Sequence, residues 1–321
     1  MPDKRTTLKE FYDEEKIVFG NHPSLVPRYI TTGIPELDAF LDGGLRRNSF
    51  SLWVGQEGHG KTWTSQKTVG ANIQLDHKVC YINLEKAYHP AWWKQTGVDI
   101  KKLHVANLNS VEETIDACRE MAQADYDLVV VDSSSAFVSG KEEEESAETN
   151  NIGLGARLSG RFYRLVNQVN KNTHFFVINQ LRETVGMTWG SPIVIPGGKA
   201  QRFFSSSIVQ CKREKFIPDA DKEKRFKGFN LKYEILIKNR GTAKPGDEIT
   251  IPVLFSGKVD EAAQISSIAI SLGIIKKEGA WYHIVDELGE IIKSIQGKDN
   301  LTNELSEDEE LLKIIRDRIP S

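Results

Sequence analysis

The chain has 321 residues, of which 39% are hydrophobic and 27% are charged, and its formal net charge is −3. This composition is typical of a soluble globular protein, and the charge requires any nucleic-acid binding to come from local basic surfaces. No run of about 18 apolar residues occurs, so no membrane span is expected, and the first residues lack the apolar stretch of a signal peptide. Cys80, Cys118 and Cys211 are odd in number and far apart, which fits neither a disulfide framework nor a metal site and favours a reducing, cytoplasmic setting.

Residues 1–30 mix charged and aromatic side chains, and one short helix, Leu8–Ile17, is predicted there. Such a segment has too little apolar surface to fold alone, so we expect it to dock on something larger, such as a neighbouring subunit. Thr32–Asp38 then predicts a turn into a helix, because Pro35 suits a first helical position. Gly43–Gly44 is expected to end that helix.

A stretch that follows the apolar strand Ser51–Val54 carries the strongest chemical signal of the chain. It consists of Gly55, Gln56, Glu57, Gly58, His59, Gly60, Lys61 and Thr62, and Trp63 opens the predicted helix that follows. Strand, glycine-rich turn, Lys-Thr and helix is the pattern of a phosphate-binding loop, in which backbone N–H groups turn towards an anion and the helix dipole adds positive potential. We expect Lys61 to contact the β- and γ-phosphates of ATP and Thr62 to ligate Mg²⁺. The alternative is a glycine-rich turn that binds nothing.

Strands and helices alternate after this loop, which predicts an α/β domain with a mainly parallel sheet. The predicted strands are Lys78–Asn83, Leu103–Ala106, Asp127–Asp132 and His174–Asn179, and the predicted helices are Pro90–Gln95, Ser110–Ala124 and Asn151–Asn170. Ser110 followed by Glu113 is the pattern of a capping box. Ligands of such sheets bind at the carboxyl ends of the strands.

Three polar residues at or after strand ends suit roles in nucleotide hydrolysis. Asp132 ends a β-branched strand, as the second metal-site carboxylate of phosphate-loop enzymes does, and would hold Mg²⁺ opposite Thr62. The alternative for Asp132 is a cap for the helical turn that follows. Glu85 would act as general base for an attacking water, although a lone glutamate at a strand end is usually a surface residue. Gln180 would contact the γ-phosphate and report its loss to the next segment.

A basic helix face lies between two long segments without predicted secondary structure, residues 138–150 and 183–198. Arg157, Arg161 and Arg164 share this face of the helix that joins them, whereas the apolar residues of the helix fall on another face. The arginines form either a solvated basic surface or a surface that contacts nucleic-acid phosphates.

The pattern changes to strands and turns after Ser206. Three strands are predicted over Ser207–Arg213, Asn230–Lys238 and Ile249–Phe255, and the charged stretch Asp219–Lys227 is expected to form a hairpin tip. Residues 259–321 look separate, with a helix over Glu261–Leu272, a strand over Ala280–Ile284 and a helical tail with alternating charges over Leu301–Ile319.

With these motifs in this order, the chain resembles the bacterial RecA recombinase family from about Thr31 to Ile319. The matching stretches beyond the phosphate-binding loop are Thr32-Gly33…Leu37-Asp38, Glu85 with Ala87 and Pro90, Gly97-Val98-Asp99, Val130-Val131-Asp132-Ser133, Gly153-Leu154…Ala156-Arg157, Ile178-Asn179-Gln180-Leu181-Arg182, Gly197-Gly198…Ala200, Lys238-Asn239-Arg240 and Gly279-Ala280-Trp281-Tyr282. The resemblance implies a RecA-like P-loop ATPase core over residues 31–258, with a mainly parallel sheet flanked by helices. It also implies a short N-terminal oligomerisation arm over 1–30 and a small α+β C-terminal domain over 259–321 that captures duplex DNA.

The implied activity is a DNA-dependent ATPase with ATP and Mg²⁺ as cofactors. It would form a homo-oligomeric helical filament on single-stranded DNA and exchange that strand into homologous double-stranded DNA. Carried over residue by residue, Glu85 resembles the catalytic glutamate and Gln180 the γ-phosphate sensor, both acting beside Lys61. Lys238 and Arg240 resemble the pair that reaches ATP bound to the neighbouring subunit.

The resemblance also assigns DNA contacts and the adenine side of the nucleotide site. Segments 138–150 and 183–198 resemble the two DNA-binding loops. The positions that match DNA-contacting residues are Arg157, Arg164, Arg182, Gly197 and Gly198 on the backbone and Ile152 and Val185 between base triplets, with Arg161 on the same helix face. His89 and Trp92 stand where the family usually has Asp and Tyr, and Trp92 can still stack on a base.

Two other functions stay open from the residues alone. The run Glu142–Glu145 places negative charge in the first predicted DNA loop. Together with the altered adenine side, it favours a RecA-fold ATPase that acts as a recombination mediator or regulatory paralogue without strand exchange. A metabolic kinase could use the same phosphate-binding loop, but Lys238, Arg240 and the two long segments argue against that function.

Overall fold

The structure is a computed structural model that describes residues 17–137, 154–183, 193–219, 225–286 and 288–319. The strands in these ranges are β1 (Tyr29–Ile30), β2 (Leu45–Arg46), β3 (Ser49–Gly55), β4 (Val79–Asn83), β5 (His104–Ala106), β6 (Leu128–Asp132), β7 (His174–Gln180), β8 (Arg182–Glu183), β9 (Ile193–Val194), β10 (Ser205–Pro218), β11 (Phe226–Asn239), β12 (Glu248–Leu254), β13 (Ile275–Glu278), β14 (Trp281–Val285) and β15 (Ile291–Gln296). The α-helices are α1 (Pro35–Phe40), α2 (Lys61–Gln74), α3 (Pro90–Gln95), α4 (Val111–Gln123), α5 (Leu154–Val169), α6 (Gly198–Phe204), α7 (Glu261–Ser271), α8 (Lys298–Glu307) and α9 (Glu309–Asp317). Two 3₁₀ turns lie at Pro23–Leu25 and Ser134–Ala136.

A sheet of eight strands in the order β12-β11-β10-β3-β7-β6-β4-β5 forms the centre of the fold. The six strands from β10 to β5 run parallel, whereas β11 and β12 add an antiparallel edge. The prediction of a mainly parallel sheet is therefore confirmed. We call the edge where the parallel strands begin the amino edge and the edge where they end the carboxyl edge.

Helices cover both faces of this sheet, which explains why its central strands are apolar throughout. Successive residues of β3 alternate between the two layers: Trp53 packs in one core, and Leu52 and Val54 pack in the other. On the first face α2 contributes Val69, and on the second face α5 contributes Phe162. In the described part of the chain, no helix is long and apolar enough to cross a bilayer.

A small antiparallel sheet, β13-β14-β15, packs with α7, α8 and α9 around a core of its own near the C-terminus. The domain boundary at residue 259 stays a prediction. The tail over Leu301–Ile319 is helical, as expected, and it divides at Asp308 into two helices, α8 and α9. The Asp308 carboxylate accepts a hydrogen bond from the Leu311 N–H at 2.9 Å and so caps a new helix, α9.

Two further differences are local. The expected hairpin tip at Asp219–Lys227 includes two residues of β11: Phe226 pairs with Pro218, and the Lys227 carbonyl oxygen accepts from the Phe255 N–H. Residues 220–224 of the expected tip lie outside the described residues. The Ser110 hydroxyl caps α4 by accepting from the Glu113 N–H at 3.2 Å, as a capping box requires. In a capping box the Glu113 carboxylate would accept from the N–H of the N-cap residue, Ser110. Here it accepts from the N–H of the preceding residue, Asn109, at 2.9 Å. The predictions for residues 8–16, 138–150 and 151–153 lie outside the described residues.

A buried network of polar side chains joins the adjacent strands β3 and β7. The Trp53 indole N–H donates to the Ser51 hydroxyl at 2.8 Å, and Ser51 in turn lies 2.8 Å from Nε2 of His174. Nδ1 of His174 lies 2.8 Å from the carbonyl oxygen of Arg46, so this nitrogen carries the proton of a neutral ring. Burial, together with the nearby Arg47 charge, lowers the pKa of His174 to about 4, against the raising effect of the hydrogen bond to Arg46.

Candidate functional site

The phosphate-binding loop joins β3, which is buried along its length and ends at Gly55, to α2, which begins at Lys61. Gly58 and Gly60 have φ values of +69° and +79°, a region that suits glycine. The loop also packs closely on β11, since a Cβ atom at Gly60 would lie 2.7 Å from a methyl of Leu231. Strand, loop and helix therefore have the arrangement that the sequence predicts.

Lys61 folds back over this loop. Its Nζ donates to the carbonyl oxygens of Gly55 at 2.9 Å and Gln56 at 2.8 Å, and the side chain is buried. Burial lowers the pKa of the Lys61 ammonium, and neighbouring acidic groups, among them Asp132 and Glu85, oppose this shift. A phosphate on the loop would offer this cation a charged partner in place of two neutral carbonyls.

A hydroxyl and a carboxylate meet beside the loop. The Thr62 hydroxyl donates to Oδ2 of Asp132 at 3.0 Å, and the buried Tyr81 hydroxyl donates to the same oxygen at 2.9 Å. Burial raises the pKa of Asp132 to about 6, against the lowering effect of both hydrogen bonds, and the Glu85 charge adds to the rise. Asp132 does not cap the next turn, whose N-cap residue is Ser133.

These oxygens fit the ligand chemistry of Mg²⁺, which prefers hydroxyl, carboxylate, phosphate and water oxygens. The described ranges contain no group of three or more His, Cys, Asp or Glu side chains that could hold a metal ion. A magnesium ion between Thr62 and Asp132 would therefore take its remaining ligands from phosphate and water.

Glu85 and Gln180 meet at the carboxyl edge of the sheet. Nε2 of Gln180 donates to Oε1 of Glu85 at 3.4 Å, and the Ser133 hydroxyl donates to the same Oε1. Both Glu85 and Gln180 are exposed, whereas Ser133 is buried. The two predicted residues are 95 positions apart in the chain. They lie in contact because β4 and β7 end at the same edge of the sheet, and Glu85 follows β4 closely.

The predicted adenine side is open. His89 is exposed at the N-cap of α3, and Trp92 is 53% exposed, whereas the adjacent Trp93 is buried in the core. The Trp63 indole N–H donates to the carbonyl oxygen of Gly257 at 3.1 Å, so the turn after β12 also approaches this region. An exposed indole such as that of Trp92 can stack on a nucleobase.

The remaining loop residues lie at the surface of the same site. Gln56 and Glu57 are exposed, and His59 is half-buried. Burial and the neighbouring Arg213 and Lys61 charges lower the pKa of His59, so its ring is held neutral and adds no charge to the loop near pH 7.

Lys238 and Arg240, which we call the cation pair, lie at the opposite edge of the sheet. Asn239 between them pairs with Ser207, near the start of β10, and the Arg240 N–H donates to the carbonyl oxygen of Ser206 at 3.0 Å. Nζ of Lys238 donates to the carbonyl oxygen of Phe203 at 2.9 Å, and Arg240 is exposed. The cation pair is therefore separated from the phosphate-binding loop by the length of the central strands.

The arginine face, formed by Arg157, Arg161 and Arg164, is exposed along α5, and the opposite face packs into the core. Gly197 and Gly198 begin α6 with φ values of +98° and +77°. A Cβ atom at Gly198 would lie 2.9 Å from Cβ of Ala156, so glycine lets α6 begin directly against α5. The structure thus brings the two glycines next to the arginine face.

Of three further residues predicted to contact DNA, the structure describes only Arg182. Arg182 lies in β8, which pairs with β9 through Arg182 and Val194. Ile152 and Val185 lie outside the described residues, as do residues 138–150 and 184–192 of the predicted loops.

Tyr81 and Ser133 were not identified from the sequence as residues of the site. Tyr81 occupies a buried strand position, where an aromatic side chain normally indicates packing, and Ser133 follows Asp132 in a run of serines. The signal that could have found Tyr81 is register: β4 pairs with β6, and Asn83 lies opposite Asp132, so Tyr81 is near the same carboxyl edge.

Comparison with known proteins agrees with this architecture. The family model described as RecA N-terminal domain matches residues 6–260. The chain is 31% identical to Protein RecA of Thermus aquaticus over 321 residues, which cover 98% of this chain and 91% of that protein. It is 29% identical to Protein RecA of Ruminococcus albus over 316 residues, which cover 97% and 77%, and 28% identical to Protein RecA of Acholeplasma laidlawii over 294 residues, which cover 90% and 86%. The resemblance drawn from the motifs is confirmed, and the chain belongs to the RecA family.

Proposed function

We propose that this protein is an ATP-dependent recombinase that assembles head to tail on single-stranded DNA and exchanges that strand into a homologous duplex. Membership of the RecA family supports DNA-dependent ATP hydrolysis and recombination in general. The observation that carries the more specific proposal is the separation of the cation pair from the phosphate-binding loop.

This separation makes the nucleotide site incomplete within one protomer. The cation pair lies level with the start of β3, because β10 pairs Ser205 with Phe50 and Ser207 with Asn239. The five-residue rise from Phe50 to Gly55 spans about 17 Å, which is too far for a lysine or arginine side chain to reach back to its own loop. Cations at this edge can serve a nucleotide only when a second protomer brings its carboxyl edge to them.

Within the site, the residues of one protomer would have separate roles in hydrolysis. Magnesium bound with ATP neutralises phosphate charge, and Thr62 and Asp132 would hold it. Lys61 would exchange its two carbonyl partners for phosphate oxygens. The Ser133 and Gln180 hydrogen bonds both fall on Oε1 of Glu85, so we assign Oε2 to the attacking water, whose proton it would accept.

The DNA surface is supported by the arginine face and the glycines at the start of α6. Guanidinium groups on one helix face can pair with successive phosphates without reading the base sequence. Backbone N–H groups at Gly197 and Gly198 would add neutral donors beside them. This combination fits a protein that must bind any sequence.

A mixing experiment tests the shared nucleotide site. Glu85→Gln retains the cation pair and removes the proposed base, whereas Arg240→Ala retains the base and removes a cation. Each variant alone should hydrolyse ATP slowly on single-stranded DNA. In an equal mixture, about a quarter of the interfaces would combine an intact loop with an intact Arg240, so turnover should rise well above either variant alone. A mixture no faster than its components would refute the shared site.

The DNA assignment has an independent test. Arg157→Ala combined with Arg164→Ala should weaken single-stranded DNA binding for all sequences and flatten the dependence of the affinity on salt. A double variant with Lys171→Ala and Lys313→Ala removes the same charge from other parts of the surface and serves as control. Equal salt dependence in both double variants would contradict the assignment.

A second function is favoured by the acidic run Glu142–Glu145 and by the His89/Trp92 adenine side. These features suit a RecA-family ATPase that acts as a mediator or regulatory paralogue without strand exchange. A joint-molecule assay with ATP, a single strand and a homologous duplex separates the two functions. Filaments that form without joint molecules would favour the mediator.

A further inference from the structure

A loop at the amino edge holds the turn that follows the cation pair. Oδ2 of Asp42 accepts a hydrogen bond from the Thr242 N–H at 2.5 Å, and Oδ1 accepts one from the Thr242 hydroxyl at 2.5 Å. The two residues are 200 positions apart in the chain. The half-buried Asp42 carboxylate therefore connects the turn after β11 to the loop after α1.

Both sides of this contact are shaped for it. Asp42, Gly43 and Gly44 have consecutive φ values of +59°, +109° and +107°, and Asp is one of the few non-glycine residues that adopt such values readily. Gly241 must lack a side chain, because a Cβ atom there would lie 1.8 Å from Oδ2 of Asp42. The carboxylate thus takes the space that a side chain at residue 241 would otherwise fill.

The contact fixes the backbone on the far side of Arg240. Before this residue, β11 is held by its ladder to β10, and the Arg240 N–H itself donates to Ser206. After it, Asp42 holds Thr242 through two hydrogen bonds. The exposed guanidinium of Arg240 therefore extends from a backbone that is anchored on both sides.

We propose that Asp42 is a positioning residue for the cation pair: it orders the turn at 241–242 so that Arg240 is presented, already in place, to the nucleotide of the adjoining protomer. This inference rests on the proposed function, in which Arg240 acts across the interface. A turn without this anchor would have to become ordered each time a protomer is added. The conformational entropy lost in that step would make the free energy of assembly less favourable.

Asp42→Gly tests the role without backbone strain, because glycine accepts the positive φ and only the carboxylate is lost. The matched control is Asp76→Gly. Asp76 also has a positive φ, +57°, and its carboxylate binds the Lys102 ammonium at 2.7 Å. It precedes β4, which four strands separate from β11. Asp42→Asn should restore function, because its amide keeps an acceptor for the Thr242 N–H.

The expected result for Asp42→Gly is a roughly tenfold rise in the protein concentration needed for ATP-dependent assembly on single-stranded DNA, by light scattering, which corresponds to about 1.4 kcal/mol. ATP binding by the dilute, unassembled variant should match that of Asp76→Gly, because the phosphate-binding loop is untouched. An Asp42→Gly protein that assembles as readily as Asp76→Gly, or that binds ATP more weakly before assembly, would overturn the proposal.

Mixing locates the defect on one face of the protomer. Asp42→Gly mixed with Glu85→Gln should regain ATP turnover, because Glu85→Gln supplies intact cations to the loop of Asp42→Gly. Asp42→Gly mixed with Arg240→Ala should regain none, since both are defective on the same face. Recovery in the second mixture would overturn the role of Asp42. If Arg240→Ala alone has full activity, the proposed function fails instead, and the two failures are distinguishable.

Discussion

Acidification should destabilise the fold through one buried histidine. The ring of His174 is neutral, donates to the carbonyl oxygen of Arg46 and accepts from Ser51 between β3 and β7. Its pKa is lowered to about 4 in the folded chain, from 6.5 for an ordinary histidine. At pH values between 4 and 6.5, this ring therefore binds a proton in the unfolded chain but not in the folded chain. The free energy of unfolding falls as the pH falls from 6.5 towards 4.

The magnitude follows from the two pKa values. At pH 5 the unfolded chain gains a factor of about 30 from protonation of this ring and the folded chain almost none, so the loss is about 2 kcal/mol. The loss approaches about 3 kcal/mol below pH 4, where both forms are protonated. Ordinary domains have a stability of only about 5–15 kcal/mol, so a loss of this size is readily measured.

Urea unfolding at pH 7 and pH 5 measures this effect. Other groups also titrate over this range, so the comparison is with His174→Gln, which has a donor and an acceptor but no proton to gain. The wild type should lose about 2 kcal/mol more than His174→Gln between the two pH values. His22→Gln removes a half-buried histidine outside this network and should behave as wild type. Equal losses in wild type and His174→Gln would refute the reasoning.

Two substitutions test other parts of the site. Tyr81→Phe removes the hydroxyl that donates to Asp132, the proposed magnesium ligand, so the Mg²⁺ concentration for half-maximal ATP binding should rise roughly tenfold. Tyr88→Phe in the same aromatic cluster should change nothing, and equal magnesium titrations of the two variants would contradict the proposed role. Gly198→Ala adds a Cβ atom 2.9 Å from Ala156 at a φ of +77°, so urea unfolding should show a loss of about 1–3 kcal/mol and single-stranded DNA binding should weaken. Gly155→Ala, with open space around it, is the control, and equal stability of the two alanine variants would contradict the close packing.

Local patterns predicted the parts of the fold that local forces determine. The β-branched run that became β6 is buried on both faces, so its hydrophobicity was visible in a short window. The phosphate-binding loop was equally visible, because its glycines, Lys61 and Thr62 are contiguous. The arginine face followed from helical periodicity, which fixes which residues share a side.

Features that depend on distant partners were not visible in the same way. The predicted helical tail over Leu301–Ile319 consists of two helices because Asp308 caps the second one, and this division was not visible because an Asp within an amphipathic run also suits an uninterrupted exposed face. The role of Asp42 has no local signal in the sequence, since its partner Thr242 is 200 positions away. Tyr81 looked like a core aromatic until the register of β4 against β6 placed its hydroxyl on Asp132.

The proposed shared nucleotide site also constrains how protomers can assemble. If one nucleotide joins the carboxyl edge of one sheet to the amino edge of the next, the two surfaces that meet are different, and the contact is heterologous. A twofold dimer would bring identical surfaces together and leave every nucleotide without the cation pair. Each added protomer must instead repeat the same rotation and translation, which yields either a closed ring or an open helix. A DNA strand that contacts the arginine face of every protomer has no natural closing point, so it favours the open helix. Hydrolysis would then weaken every interface of that helix in the same way, because each depends on the phosphate that the cation pair reaches.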